Sequence, residues 1–392
     1  MGINIEKLEL LLLVAAVVAM LARKLRVPYS VGLVVAGIGL ALSPFAPEVV
    51  LTKDLIFTVL LPPLIFEAAF CLHWKELRRD LPLILVLASL GVVLSAAVTA
   101  IGMHLIAEWP WTSAVVFGVM VAATDPVSVI ATFKEARVVG RLRLLVEAES
   151  LFNDGAAAVG FGIAVAFAVG QPLGAGEIAG TLLLIVGGGI ACGAALAGIV
   201  LLIVGRTEDH LVEITFTTIA AYGSFLLAEH FHLSGVLATL TAGLMLGSLG
   251  SRGAISDKGR EAVLAFWEYT AFVANSLIFL LIGMHEANQN YALVWIPALA
   301  AIGLVVLSRA SAIYPICFLF SWSSLRVSWQ HQHVLFWGGL RGALALALGL
   351  GLPPEIAFRE DIITITFAVV AFSMFVQGLT MTPLLRKTGE LA

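Results

Sequence analysis

The sequence predicts an all-α polytopic membrane protein of about thirteen transmembrane helices. Three observations carry that expectation. First, 60% of the 392 residues are apolar, 12% are Asp, Glu, Lys or Arg, and mean hydropathy is +1.03, whereas about 25% of residues are charged in an ordinary soluble domain. Second, apolar runs of roughly 14 to 29 residues, near the length needed to cross ~30 Å of hydrocarbon, recur from end to end. Third, allotting the 22 Lys and Arg to alternate sides of those runs puts 17 on one side and three on the other, with Arg309 and Arg341 inside spans. Basic residues favour cytoplasmic loops, so the N-terminus is expected outside and the C-terminus in the cytoplasm.

The spans run approximately over 5–22, 29–43, 53–71, 81–106, 112–133, 147–169, 177–204, 211–229, 234–249, 261–284, 292–320, 332–350 and 361–385. Glu6, Lys7 and Glu9 precede the first and Arg23, Lys24 and Arg26 follow it. That is the reverse of a signal peptide's charge order, so this segment is read as a retained span. The formal net charge is −4 and the basic residues are dispersed, which leaves no nucleic-acid footprint and predicts no nucleic-acid partner. Cys71, Cys192 and Cys317 have neither CxxC spacing nor a metal-ligand pattern and read as free structural thiols.

Two segments echo one another. Ser30-Val31-Gly32-Leu33 followed by Ala36-Gly37 in the second span parallels Ser234-Gly235-Val236-Leu237 followed by Ala242-Gly243 in the ninth. Leu64-Ile65-Phe66 in the third span likewise parallels Leu277-Ile278-Phe279 in the tenth. Helices 1–6 then pair with 8–13 as inverted repeats, an organisation typical of transporters, with the seventh as connector.

Charge inside a span costs several kcal/mol unless paired or hydrated, so each such residue is a functional candidate. Thr124-Asp125-Pro126 interrupts the fifth span and Gly338-Gly339-Leu340-Arg341-Gly342 the twelfth. Pro removes an amide donor and Gly loosens the backbone, so both helices are expected to be discontinuous. They are partners under the repeat, and their crossing would leave opposed half-helix ends. Asp125 and Arg341 could offset those dipoles, and freed carbonyls, including that of Thr124, could coordinate a cation. Two kinks that serve packing are the plainer alternative.

In the sixth span Glu149 and Asn153 are four residues apart, as are Ser150 and Asp154, giving two adjacent stripes. Glu149 is the natural counter-ion for Arg341, with Asn153 joining that network through its amide. Asp154 is left without an obvious cationic partner, and such a carboxylate binds either a proton or a small alkali ion. Competition for one group is already an exchange mechanism. Glu67, after Pro62-Pro63, could add an oxygen ligand from the third span, or serve only as a hydrogen bonder within its helix. Arg309 has no partner visible in the sequence and reads as structural. Glu268 lies early enough in its span to reach the interface, and the histidines read as solvated residues near helix ends.

The Thr124-Asp125-Pro126, Glu149-Ser150-Leu151-Phe152-Asn153-Asp154-Gly155 and Gly338-Gly339-Leu340-Arg341-Gly342 runs, with Glu67 and Val376-Gln377-Gly378-Leu379-Thr380, resemble those of the monovalent cation:proton antiporters, the NhaP-like sodium/proton exchangers. The resemblance spans almost the whole chain. It implies a secondary active transporter, not an enzyme, with no cofactor: Na+ or Li+ is exchanged for protons in pH homeostasis. Asp154 would be the ion-binding carboxylate, with Ser150, Glu67 and the Thr124 backbone as further Na+ ligands. Glu149, Asn153, Arg341 and Asp125 would stabilise the site. A homodimer in the plasma membrane is implied, and Asn153-Asp154 resembles the electroneutral branch that exchanges one sodium for one proton.

Alternating access then predicts a moving core of 53–169 and 261–385 against dimerisation helices over 5–43 and 177–249. A potassium/proton antiporter would carry nearly the same signature. A channel or sensor fits less well, because Asp154 suits an exchanged ion. An intramembrane aspartyl hydrolase would need two carboxylates sharing a proton, and Asn153 and Arg341 serve that chemistry poorly.

Overall fold

The computed structural model describes residues 5–390 apart from 26, 45–50, 126–128, 131–132, 134–137, 139, 172–173, 205–208 and 251–255. Among the described residues every regular element is helical. Seven helices are long and apolar enough to cross a membrane, and Tyr29–Ala41, Leu55–Cys71, Trp111–Met120 and Gly235–Leu249 are shorter apolar helices. Helix falls within each of the thirteen predicted spans.

Helices α1 (Ile5–Leu25) and α2 (Tyr29–Ala41) are separated at Pro28, the N-cap of α2. A π-helical turn, Leu55–Leu60, leads into α3 (Leu61–Cys71). Pro62 and Pro63 have no amide hydrogen for the preceding turn, and the Tyr222 hydroxyl donates instead to the Val59 carbonyl at 3.1 Å. Next come α4 (Trp74–Ile106) and the short α5 (Trp111–Met120). Helix α6 (Arg141–Ala168) follows Gly140, whose φ of 85° is a left-handed conformation that suits glycine.

Helix α7 spans Ala175–Val204 and α8 spans His210–His230. The side chains of Ser234 and Ser256 cap α9 (Gly235–Leu249) and α10 (Asp257–Glu286) by accepting amide hydrogens of Leu237 and Gly259. Helix α11 covers Trp295–Leu319. The twelfth span is two helices, α12 (Trp329–Trp337) and α13 (Ala343–Leu350), with 338–342 unwound between them. The last span runs through α14 (Arg359–Phe372), a π turn at Ser373–Gly378, and α15 (Leu379–Thr388).

The predicted repeat is visible in the packing. Helix α2 lies along α10 and α9 lies along α3, and these two pairs exchange when the halves are superposed by span number. Both are backbone-to-backbone approaches. A Cβ on Gly37 would strike the Leu280 carbonyl, and one on Gly243 or Gly247 would strike the carbonyl of Phe66 or Phe70. Small residues at such crossings let apolar helices meet closely without a hydrophobic driving force. Phe66, Phe70, Val200, Ala221, Leu246 and Trp267 form an apolar cluster joining α3 to α7–α10. On the other side α4 packs along α11 and against α5 and α6.

Candidate functional site

The two discontinuities meet. Helix α5 ends at Met120, and the Asp125 amide donates to the Leu340 carbonyl in the other break at 2.7 Å. The Arg341 guanidinium, 1% exposed, donates through Nη1 to the carbonyls of Ala122 at 2.6 Å and Ala123 at 2.9 Å. Those carbonyls lie just past the C-terminal end of α5, where a cation is favoured by the half-helix dipole. Pro126 and part of the fifth span beyond it lie outside the described residues.

Asn153 on α6 ties down the first break. Its Oδ1 accepts the Thr124 amide at 3.1 Å, and its Nδ2 donates to Thr124 Oγ1 at 2.6 Å and to Glu149 Oε1 at 3.0 Å. Ser150 Oγ lies 3.0 Å from Thr124 Oγ1. The stripe of Glu149 and Asn153 therefore forms one network, as the four-residue spacing predicts.

The expected ion pair between Glu149 and Arg341 does not form. Glu149 is held instead by Arg309 on α11, whose Nη1 and Nη2 donate to Oε1 and Oε2, each at 2.8 Å. Arg309 also donates to the Leu335 carbonyl at 3.1 Å. The fork of a guanidinium matches a carboxylate only when the planes align, and α11 presents that geometry. Among the described residues Arg341 donates instead, through Nη1 alone, to the Ala122 and Ala123 carbonyls. Arg309 is thus the residue that the sequence missed. Its signal was present as a lone cation inside an apolar span, but the partner is 160 positions away.

Asp154, on the neighbouring stripe, is half-buried and lines a cavity of about 270 Å³. One wall comes from α3 and α10, including Glu67, Glu268 and Asn275; the other comes from Thr124, Asp125, Asp154 and the start of α13 at Ala343–Ala345. Four carboxylates, those of Glu67, Asp125, Asp154 and Glu268, line this space, and no Lys or Arg is among its lining residues. Such a surface concentrates cations. Of the predicted ligands, Asp154, Glu67 and Thr124 share the cavity. Ser150 is 2% exposed, is not among the lining residues and reaches the site through Thr124. Gly342 also belongs to the wall: a Cβ there would collide with the Asp125 carboxylate.

A family model described as sodium/hydrogen exchanger, transmembrane, matches residues 11–387. The chain is 38% identical over 400 residues to the Na(+)/H(+) antiporter ApNhaP of Aphanothece halophytica, covering 98% of this chain and 75% of that protein. It is 33% identical to the Na(+)/H(+) antiporter NhaH of Halobacillus aidingensis, covering 97% and 96%. Its fold is similar to that of the sodium proton antiporter MjNhaP1 from Methanocaldococcus jannaschii, with a TM-score of 0.77 at 21% identity over 98% of both chains.

Proposed function

The chain belongs to the sodium/hydrogen exchanger family, and from that premise we propose that it exchanges sodium or lithium for protons, one for one, at Asp154. The observation that supports this most is the cavity of four carboxylates, in which Asp154 has no cationic partner among the described residues while Glu149 has Arg309. A carboxylate at that position loses its water and needs a proton or a cation in exchange. The two compete, so each crossing of the site carries one or the other. Asn153 adds no charge of its own, and either occupant leaves Asp154 neutral. Equal charge then moves in both directions, which makes the cycle electroneutral.

Thr124 and Glu67 supply further oxygens around the ion from the cavity wall, and Ser150, the third expected ligand, acts through its hydrogen bond to the Thr124 hydroxyl. Asp125 and Arg341 balance the half-helix ends, and Glu149 with Asn153 fixes the Thr124 strand. Access alternates as α4–α6 with α11–α15 moves against α1–α3 with α7–α10. This boundary follows the packing. The contacts of the third and tenth spans with α2, α8 and α9 support assigning them to the scaffold, where the sequence expectation put them in the moving core. Tyr29 opens α2, Glu67 is near the end of α3 and Glu268 is in the first half of α10. With basic loops inside, that mouth faces the cytoplasm. A homodimer in the plasma membrane fits the exposed leucines at 183, 184 and 202 of α7, on the scaffold side.

Proton flux in proteoliposomes carrying a pH dye tests this reading. A sodium gradient should drive proton movement that clamping the membrane potential does not change, and Asp154→Asn should abolish it. Flux driven by potassium alone would change the substrate, and intact protein that moves protons with neither ion would end the antiporter reading.

A further inference from the structure

We infer that Ser373, on the π turn of the last span, is a positioning residue for exchange: it fixes the unwound 338–342 strand as Asn153 fixes the first break, while Gln377 on the same turn holds the end of α12. Ser373 Oγ accepts the Arg341 amide at 3.0 Å. Its single hydrogen has two carbonyls in reach, Arg341 O at 3.0 Å and Val370 O at 2.9 Å. Gln377 Nε2 donates to the Trp337 carbonyl at 3.4 Å, at the end of α12. Both side chains are buried, at 1% and 4% exposure.

The parallel with the first break is close. The sixth and thirteenth spans are repeat partners, as are the fifth and twelfth. Asn153 on the sixth accepts the Thr124 amide at 3.1 Å, and Ser373 on the thirteenth accepts the Arg341 amide at 3.0 Å. Each places a side-chain oxygen on a main-chain donor that a broken helix leaves without its usual partner. The widened π turn lies where the last span faces the break, a placement often found at functional sites.

The clamp reaches the cavity through Arg341. Ser373 holds its main chain, its Nη1 holds the carbonyls of Ala122 and Ala123, and the next residues, Thr124 and Asp125, line the cavity. Neither Ser373 nor Gln377 lines it. They act on the ion only by setting where the two half-helices cross. The effect on transport rests on the cation/proton reading above, whereas the clamp itself does not.

Ser373→Ala in the full-length purified protein separates these. Hydrogen exchange in peptides covering 338–342 should accelerate at least tenfold while peptides covering the α2–α10 crossing stay unchanged. In proteoliposomes the half-saturating sodium concentration per folded protein should rise severalfold, with Ser373→Thr, which keeps the acceptor oxygen, restoring both readouts. Unchanged hydrogen exchange would overturn the clamp. Faster exchange with an unaltered half-saturating concentration and pH profile would overturn the positioning role and leave a structural one. A wild-type protein that moves protons with neither sodium nor potassium would refute the antiporter reading, while hydrogen exchange would still decide the clamp.

Discussion

Arg309 and Glu149 form a two-point ion pair at 2.8 Å, with both residues at most 6% exposed. The pair joins α11 to α6, five residues before Asp154. Removing one partner leaves the other charge buried and alone, which costs about 3–5 kcal/mol, whereas replacing both costs less. Arg309→Met and Glu149→Gln should each lower the unfolding temperature of the solubilised protein markedly. The double variant Glu149→Leu/Arg309→Leu should be more stable than either single one, as measured by thermal unfolding in detergent.

Asn153→Ala removes the acceptor of the Thr124 amide and the donor to Glu149. A buried unpaired donor costs about 1–3 kcal/mol. The expected result is a modest fall in unfolding temperature together with a loss of most exchange activity, because the displaced Thr124 strand forms the cavity wall. Parallel thermal unfolding and dye-flux assays check both parts. A fall in stability with full activity would show that the strand position does not matter to the ion.

Gly342→Ala places a methyl group against the Asp125 carboxylate. The Asp125 side chain must then move although its own amide is tied to the Leu340 carbonyl. The variant should insert and fold, yet exchange at least tenfold more slowly. By contrast Ala substitution at Gly162, where a Cβ meets nothing within 4 Å, should leave both stability and flux near wild type. Flux normalised to folded protein distinguishes the two.

Helical spacing made much of the site legible. The four-residue spacing on one helix put Asn153 with Glu149, and the two are hydrogen-bonded, whereas Ser150 bonds Thr124 and does not join Asp154 in the cavity lining. Gly338, Gly339 and Gly342 likewise announced an unwound strand, since they deprive a helix of its usual backbone preference. What failed was pairing between helices. The sequence pairs Glu149 with Arg341 and leaves Arg309 without a visible partner, whereas the actual pairing with Arg309 depends on how α11 and the break are oriented around α6. Ser373 was invisible for a related reason: a serine in an apolar span is unremarkable until a π turn aims it at a free amide. The close α2–α10 and α3–α9 crossings fall at Gly37 and Gly243, which the sequence marked only as parts of the repeat.

One carboxylate shared by a proton and a cation makes a quantitative statement about acidity. Protons raise the apparent half-saturating sodium concentration by the factor 1 + [H+]/K, where K is the acid dissociation constant of the site. The effect therefore appears as pH falls through the site's own titration, and approaches tenfold per pH unit below it. The maximal rate at saturating sodium on the same face is left unchanged. The most direct test is initial-rate sodium-22 uptake into proteoliposomes over a grid of pH and sodium concentration on the binding face, with the opposite face fixed. The predicted result is a half-saturating concentration that climbs with acidity at constant maximal rate, and no saturable uptake for Asp154→Asn. A maximal rate that falls with acidity while the half-saturating concentration stays constant, or saturable uptake that survives in Asp154→Asn, would contradict a single shared site at Asp154.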